Sequence, residues 1–136
     1  MIFVDASAMV ALALDEPEAK SIAAVIDSSN ALCTSAIAIY EASMAISRAL
    51  EAPFKVSYNA VMMMIERGRM ELVMISDTTA YNALSAHDRF GKGRHPAKLN
   101  MGDCFAYAAT QARSGKILFV GNDFTQTDLE NAVPTP

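Results

Sequence analysis

The chain has 136 residues, the size of one domain, with 52% hydrophobic and 19% charged residues; a chain of that length can bury roughly 65–70% of the surface it exposes when unfolded. This composition excludes intrinsic disorder, and 6 glycines with 5 prolines exclude a collagen-like or linker-like chain. No stretch reaches the roughly 18 uninterrupted apolar residues of a membrane span, and the net charge of −4 argues against non-specific coating of nucleic acid.

Ile2-Phe3-Val4 is a short β-branched and aromatic run that reads as a buried strand ending at Asp5. The pattern is helical from Ala6 to Leu14, turns at Pro17, and is helical again from Glu18 to Ile26, with Ile22, Val25 and Ile26 on one face. The N-terminal stretch has no Lys or Arg ahead of its apolar run and carries acids at positions 5, 15 and 16, which makes it a poor secretory signal. Ala31 to Thr34 predicts a second strand, and Ser35 caps a very apolar helix from Ala36 to about Leu50, ended by Pro53. Val56 to Arg67 is an amphipathic helix stopped by Gly68, and Leu72 to Ile75 a clear apolar strand. Asp77 or Thr78 is then expected to cap a helix running to about Phe90.

Two glycines and Pro96 make 91–96 a loop. Asn100 caps the next helix, whose apolar positions are Met101, Phe105, Ala108, Ala109 and Ala112, with Gly115 as its C-terminal cap. Ile117 to Val120 is the last strong strand, and Ala132-Val133 a weak edge strand cut short by Pro134. No repeat or linker interrupts the chain, so residues 1–136 read as a single domain. Short continuous apolar strands with helices between them predict a parallel sheet covered on both faces. Cys33 and Cys104 lie in apolar segments without CxxC spacing, which suggests neither zinc nor a disulfide framework and suits a reducing cytoplasm.

In such sheets, ligands bind beyond the carboxyl ends of the strands. Asp5 follows the first strand, Asp123 follows the last strong one, and Asp103 lies in the first turn of the helix leading into that strand. Glu41 lies in the second turn of the helix after the second strand and shares a face with Ile37, Met44 and Ala45. Singly, each acid has an ordinary explanation: Asp5 as a helix cap, Asp103 at a near capping-box position, Asp123 as a turn residue. Glu41 is harder to dismiss, because an acid on an apolar helix face is costly unless something positive offsets it, and Arg48, two turns on, is only a long-range partner. Together, four acids at one end of the sheet repel each other unless a cation binds. Oxygen-only ligands suit Mg²⁺ or Mn²⁺ rather than zinc. Without these four the chain is electrically balanced, so the net −4 does not exclude a nucleic-acid enzyme.

The residues Val4-Asp5-Ala6-Ser7, Glu41 in the helix after the second strand, the segment GKGRHPAKLNMGDCFAYA and the closing GNDFTQTD resemble PIN domains, and more narrowly the VapC-type ribonuclease toxins of bacterial toxin–antitoxin pairs. The resemblance runs from Met1 to about Asp128 and is most specific from Gly91 to Ala108. It implies a three-layer α/β/α sandwich with a short, mainly parallel central sheet, and a Mg²⁺- or Mn²⁺-dependent endoribonuclease. By position the implied acidic quartet is Asp5, Glu41, Asp103 and Asp123, with Ser7 as a nearby polar partner. Asn122 departs from the commonest pattern, in which a second acid precedes Asp123; this bears on how tightly a second metal is held. The resemblance also implies a homodimer and a cognate antitoxin that covers the site.

An ion held by Asp5 and Asp103 can act as Lewis acid and source of activated water, with Glu41 and Asp123 orienting the water or holding a second ion. The only two histidines, His87 and His95, fall outside the cluster, which weakens a histidine-based mechanism. Arg89, Lys92, Arg94 and Lys98 are four of the 11 basic residues, and the loop carrying them leads into Asn100 and Asp103. It can be a solvated surface loop, but beside a metal site it is expected to contact RNA phosphates. The helices Ala19–Ile26 and Val56–Ile65 carry more apolar residues than one shared core needs, which marks an interface. Two other readings stay open. An Asp5-nucleophile phosphatase is disfavoured because Ser7 stands where the haloacid-dehalogenase type has a second Asp; a catalytically silent interaction module is disfavoured because all four acids are present.

Overall fold

The structure, a computed structural model, describes residues 1–113 and 115–134; the single-domain reading extends to 136, and residues 114, 135 and 136 lie outside the described part. The elements follow in the order β1 (Ile2–Val4), α1 (Ala6–Ala13), α2 (Ala19–Ser28), β2 (Leu32–Ser35), α3 (Ala36–Leu50), α4 (Phe54–Arg67), β3 (Glu71–Val73), α5 (Asp77–Phe90), α6 (Met101–Ala112), β4 (Lys116–Leu118) and β5 (Glu130–Asn131). The strands form one sheet in the order β3-β2-β1-β4-β5, with every pairing parallel. Phe3 pairs with Cys33 on one side and Ile117 on the other, so the three central strands are the apolar runs expected from the sequence.

The direction of travel across the sheet decides where a ligand can bind. From β1 the chain steps through β2 to β3, then returns past β1 to β4. Right-handed crossovers put α1–α4 on one face and send α5 and α6 to the other. The order therefore switches between β1 and β4, and the crevice outside their carboxyl ends is the expected binding place. The core is built on both faces, with Phe3, Val4, Met9, Ile22, Ile46, Val61, Leu99, Ile117, Leu118 and Phe124 buried. α6 is buried nearly all round, from Gly102 to Thr110, which is the burial of a helix held between neighbours rather than on a surface.

Several expectations shift. Ser76 caps α5, not Asp77 or Thr78: its hydroxyl accepts from Thr79 N at 3.3 Å while Thr79 Oγ1 accepts from Ser76 N at 3.1 Å, a reciprocal box that caps both orphan donors. Met101, expected on the inner face of α6, is exposed, and Cys104 and Tyr107 are buried instead. Arg113, not Gly115, is the C-cap of α6. A Cβ on Gly115 would collide with the Met1 carbonyl, so this glycine serves the approach of β4 to β1. The edge strand is Glu130–Asn131 rather than Ala132-Val133, in register with Lys116 and Ile117 and tied by a Lys116–Glu130 ion pair of 2.9 Å.

Candidate active site

Asp5 leaves β1 as the N-cap of α1. Its Oδ2 accepts the Ser7 hydroxyl at 2.6 Å and the Ser7 amide at 3.1 Å. The same Ser7 hydroxyl accepts the Val120 amide at 3.0 Å, and the Asp5 amide donates to the Leu118 carbonyl at 3.0 Å. Ser7 thus ties the exit of β1 to the exit of β4, just ahead of Asp123. Asp103 enters from α6, where a reciprocal box with Asn100 holds it: Asn100 N donates to Asp103 Oδ2 at 3.0 Å, and Asp103 N to Asn100 Oδ1 at 2.9 Å. The capping explanations for Asp5 and Asp103 therefore hold, and they coexist with convergence: Asp5, Glu41, Asp103 and Asp123 line one open cavity of about 350 Å³ with Ser7, Asn100 and Glu16.

The electrostatics separate capping from the remaining charge. Asp5 is 6% exposed and Asp103 8%. Burial pushes the Asp103 carboxyl up to about 7, and Asp123 and Asp5 push it further in the same direction. Burial likewise raises Glu41 to about 7, assisted by Asp5, Asp103 and Asp123. Asp5 is raised by burial despite the hydrogen bonds from Ser7, which oppose the shift. Among the described residues the ion pairs are Arg89–Asp128, Arg94–Asp88 and Lys116–Glu130, so none reaches the quartet and Arg48 does not pair with Glu41. Nor are three acidic, histidine or cysteine side chains among the described residues already drawn in around a single point. In chemistry the donors fit a hard divalent cation: the quartet and Glu16 put five carboxylates on the cavity, no histidine or cysteine lines it among the described residues, and the repulsion among the acids is relieved by protonation or by a bound cation.

The basic residues lie apart from this cavity. Lys92 lines a neighbouring, mostly apolar groove that shares Asn100 with it. Arg94 pairs with Asp88 at 2.9 Å on the surface. Arg89 reaches the Tyr107 hydroxyl at 3.1 Å and Asp128 at 3.5 Å, beside Gln111. Lys98 is exposed, with its backbone in the left-handed region at φ 53°.

Sequence reasoning missed three features. Glu16 lines the acid cavity from the turn after α1. Gly102 packs against the Glu41 carboxylate, so closely that a Cβ at 102 would overlap it. α2 carries no surplus apolar surface, since Ile22 and Val25 are buried; exposed apolar side chains lie on α3 and α4, where Tyr40 is 66% and Phe54 70% exposed with Met44 and Tyr58 alongside, and on α5 at Tyr81 and Leu84. Tyr40, Met44, Phe54 and Tyr58 line an apolar groove that also holds the Ser43 hydroxyl, which has no hydrogen-bond partner among the described residues.

Strand order, switch point and acid cavity together define a class. The PIN domain profile matches residues 2–130, and the chain belongs to the PIN-domain family. Its relatives place it among the VapC ribonucleases of that family. It is 39% identical to ribonuclease VapC36 of Mycobacterium tuberculosis, with 95% of this chain and 91% of that one covered. It is 36% identical to a VapC ribonuclease of Rhizobium meliloti, with 95% and 99% covered. The crystal structure of M. tuberculosis VapC20, a sarcin–ricin loop cleaving toxin, superposes with a TM-score of 0.75 over 98% of this chain and all of that chain, at 15% identity, a likeness of fold. No helix among the described residues is long and apolar enough to cross a membrane.

Proposed function

We propose that the chain is a divalent-metal-dependent endoribonuclease, the toxin of a toxin–antitoxin pair working in the cytoplasm as a single nuclease domain, and that Asp5, Glu41, Asp103 and Asp123 form its catalytic site. The supporting observation is one cavity at the β1/β4 switch point lined by all four carboxylates, with no cation paired to any of them among the described residues. Kinship with VapC ribonucleases supports RNA as substrate.

In this reading Asp5 and Asp103 hold Mg²⁺ or Mn²⁺, and Glu41 and Asp123 hold a second ion or orient the attacking water. The bound ion supplies Lewis acidity toward the phosphate and a water acidic enough to attack at neutral pH. The chain's own work is positioning. Ser7 fixes the Asp5 carboxylate by hydrogen bonding and anchors it to β4; the Asn100 box fixes Asp103. Glu41, raised to about 7 without metal and so about half ionised near neutrality, accepts a proton from water in its carboxylate form. Arg89, Lys92, Arg94 and Lys98 contact the phosphates that flank the scissile bond, with Lys92 on the side of the site marked by Asn100.

The groove of Tyr40, Met44, Phe54 and Tyr58 is the surface for the protein partners, a second copy and the antitoxin. A monomeric mass at micromolar concentration counts against the homodimer. The function itself is tested by incubating mixed RNA with the folded protein in Mg²⁺, Mn²⁺ or excess EDTA. Cleavage that requires the ion is expected. Absence of cleavage with any divalent ion moves the reading to a silent interaction module.

A further inference from the structure

Gly102 stands at the second position of α6, beside Asp103. Local helix energetics do not ask for it, since alanine is favoured over glycine within a helix. Its backbone is not in the left-handed region that only glycine tolerates well. The reason for the missing side chain lies elsewhere in the chain. A Cβ placed there would overlap both carboxylate oxygens and the Cδ of Glu41, well inside van der Waals contact, and the three nearest atoms it would meet all belong to Glu41. α3 and α6 pack against each other, so the Glu41 carboxylate lies on the first turn of α6 in the space a side chain at 102 would occupy.

We propose that Gly102 is a positioning residue: its lack of a side chain is the seat that holds the Glu41 carboxylate at the N-terminal turn of α6, next to Asp103. The inference rests on the reading of the quartet as a metal-dependent nuclease site. The obstructing atoms are the far end of a flexible side chain, so a methyl group at 102 displaces the Glu41 carboxylate without moving the α3 or α6 backbone. Stability and site geometry are therefore separable at this position. Gly102→Ala leaves the metal-free fold at least as stable as the native protein, while the fourth carboxylate is turned away from the site.

The experiment is a double-mutant cycle of Gly102→Ala with Glu41→Ala, read by calorimetric Mn²⁺ binding, metal-free melting and RNA cleavage. Expected for Gly102→Ala alone are an unchanged or raised melting temperature, Mn²⁺ affinity lowered about tenfold and kcat lowered by more than KM is raised. In the Glu41→Ala background the same substitution changes Mn²⁺ affinity less than about twofold, because the residue it acts through is gone; non-additivity of this size is what contacting pairs show. Should Gly102→Ala fail to fold while the double variant folds, the seat for Glu41 stands, because the clash lies with that carboxylate, and the separation of stability from site geometry at 102 is overturned. Native Mn²⁺ affinity and kcat in Gly102→Ala, an equal loss in both backgrounds, or failure of both variants to fold overturns the seat. If the native protein neither binds Mn²⁺ nor cleaves RNA, the nuclease reading itself fails. If it does both and Glu41→Ala impairs them while Gly102→Ala does not, only the role of Gly102 falls.

Discussion

α6 meets two acidic regions along its length. In its first turn, Asp103 faces Asp5, Glu41 and Asp123. One and two turns on, Tyr107 and Gln111 face Asp128. Asp128 accepts from the Tyr107 hydroxyl at 2.6 Å, from Arg89 at 3.5 Å and from Gln111 at 3.4 Å. Its carboxyl is held below the usual range, chiefly by the Tyr107 hydrogen bond. Asp103 is hydrogen-bonded to one backbone amide, lies among like charges, and is pushed up to about 7. An acid matched with donors and a cation serves the fold. Acids that remain charge-deficient after their caps are made are where a ligand of opposite charge belongs.

Charge-neutralising substitution breaks this comparison most sharply. Asp5→Asn or Asp103→Asn is expected to lower RNA cleavage by about a hundredfold or more, while metal-free melting holds or rises, because each removes a buried carboxyl that no cation among the described residues pairs with. Asp128→Asn is expected to do the reverse. Loss of a half-exposed charge-assisted network costs on the order of 1 kcal/mol, and cleavage stays within a few-fold of native. Equal loss of activity in all three variants, measured on one RNA substrate, erases the distinction between the two regions.

Metal addition is the next largest effect. An ion that binds only the native state stabilises it by about 2.7 kcal/mol at one hundred times Kd. Millimolar Mn²⁺ is expected to raise the melting temperature of the native protein and of Asp128→Asn, but not of Asp103→Asn. An unchanged melting temperature in the native protein removes the cation from the acid cavity.

The pH dependence of the metal-free protein sharpens the comparison further. Glu41 and Asp103 titrate near 7 in the fold, against ordinary values of 4.5 and 3.8. Between about pH 4 and 7 the native state therefore holds more protons than the unfolded chain, and stability must fall as pH rises through that window. Urea unfolding midpoints in EDTA are expected to fall from pH 4.5 to 7.5, less steeply in Asp103→Asn, and to rise at pH 7.5 when Mn²⁺ is restored. A midpoint that climbs with pH in EDTA means the carboxyls are not raised.

What the sequence reveals and what it hides divides along the range of the interactions. The apolar runs around Phe3, Cys33 and Ile117 are local signals, and they pair as the parallel core. Ser35 and Asn100 are read correctly as caps because a cap needs only its next three residues. The convergence of the four acids follows from parallel strands sharing one carboxyl edge, which the pattern implies; the order of the strands comes only from the structure. Ser76 is overlooked because Asp77 and Thr78 offer competing side chains, and only the reciprocal bond with Thr79 decides between them. The edge strand is misplaced because its register comes from Lys116 and Glu130, not from its own hydrophobicity. Gly102 is opaque because its reason, the Glu41 carboxylate, lies 61 residues away along the chain. The apolar surplus is misassigned to α2 because a helical stripe in sequence does not show how much of it neighbouring elements cover.

The smallest expected effect concerns the cations beside the site. Lys92 and Arg94 are exposed, and the partner of Arg94 is Asp88, in an ion pair whose side chains are both more than half exposed. Such a pair contributes little to stability, and substitutions at such positions usually stay within about 0.5 kcal/mol. Replacing both with alanine should leave melting temperature and Mn²⁺ affinity where they were. Contacts to phosphate release counterions, so their loss weakens RNA binding at low salt and flattens its dependence on salt, by a slope of about 0.7 for each single-strand phosphate contact removed. The double variant is therefore expected to show a raised KM for RNA at low ionic strength, converging on the native value as salt is added, with kcat little changed. A destabilised protein with native KM at every salt concentration makes these two side chains part of the fold and moves the RNA path to another side of the acid cavity.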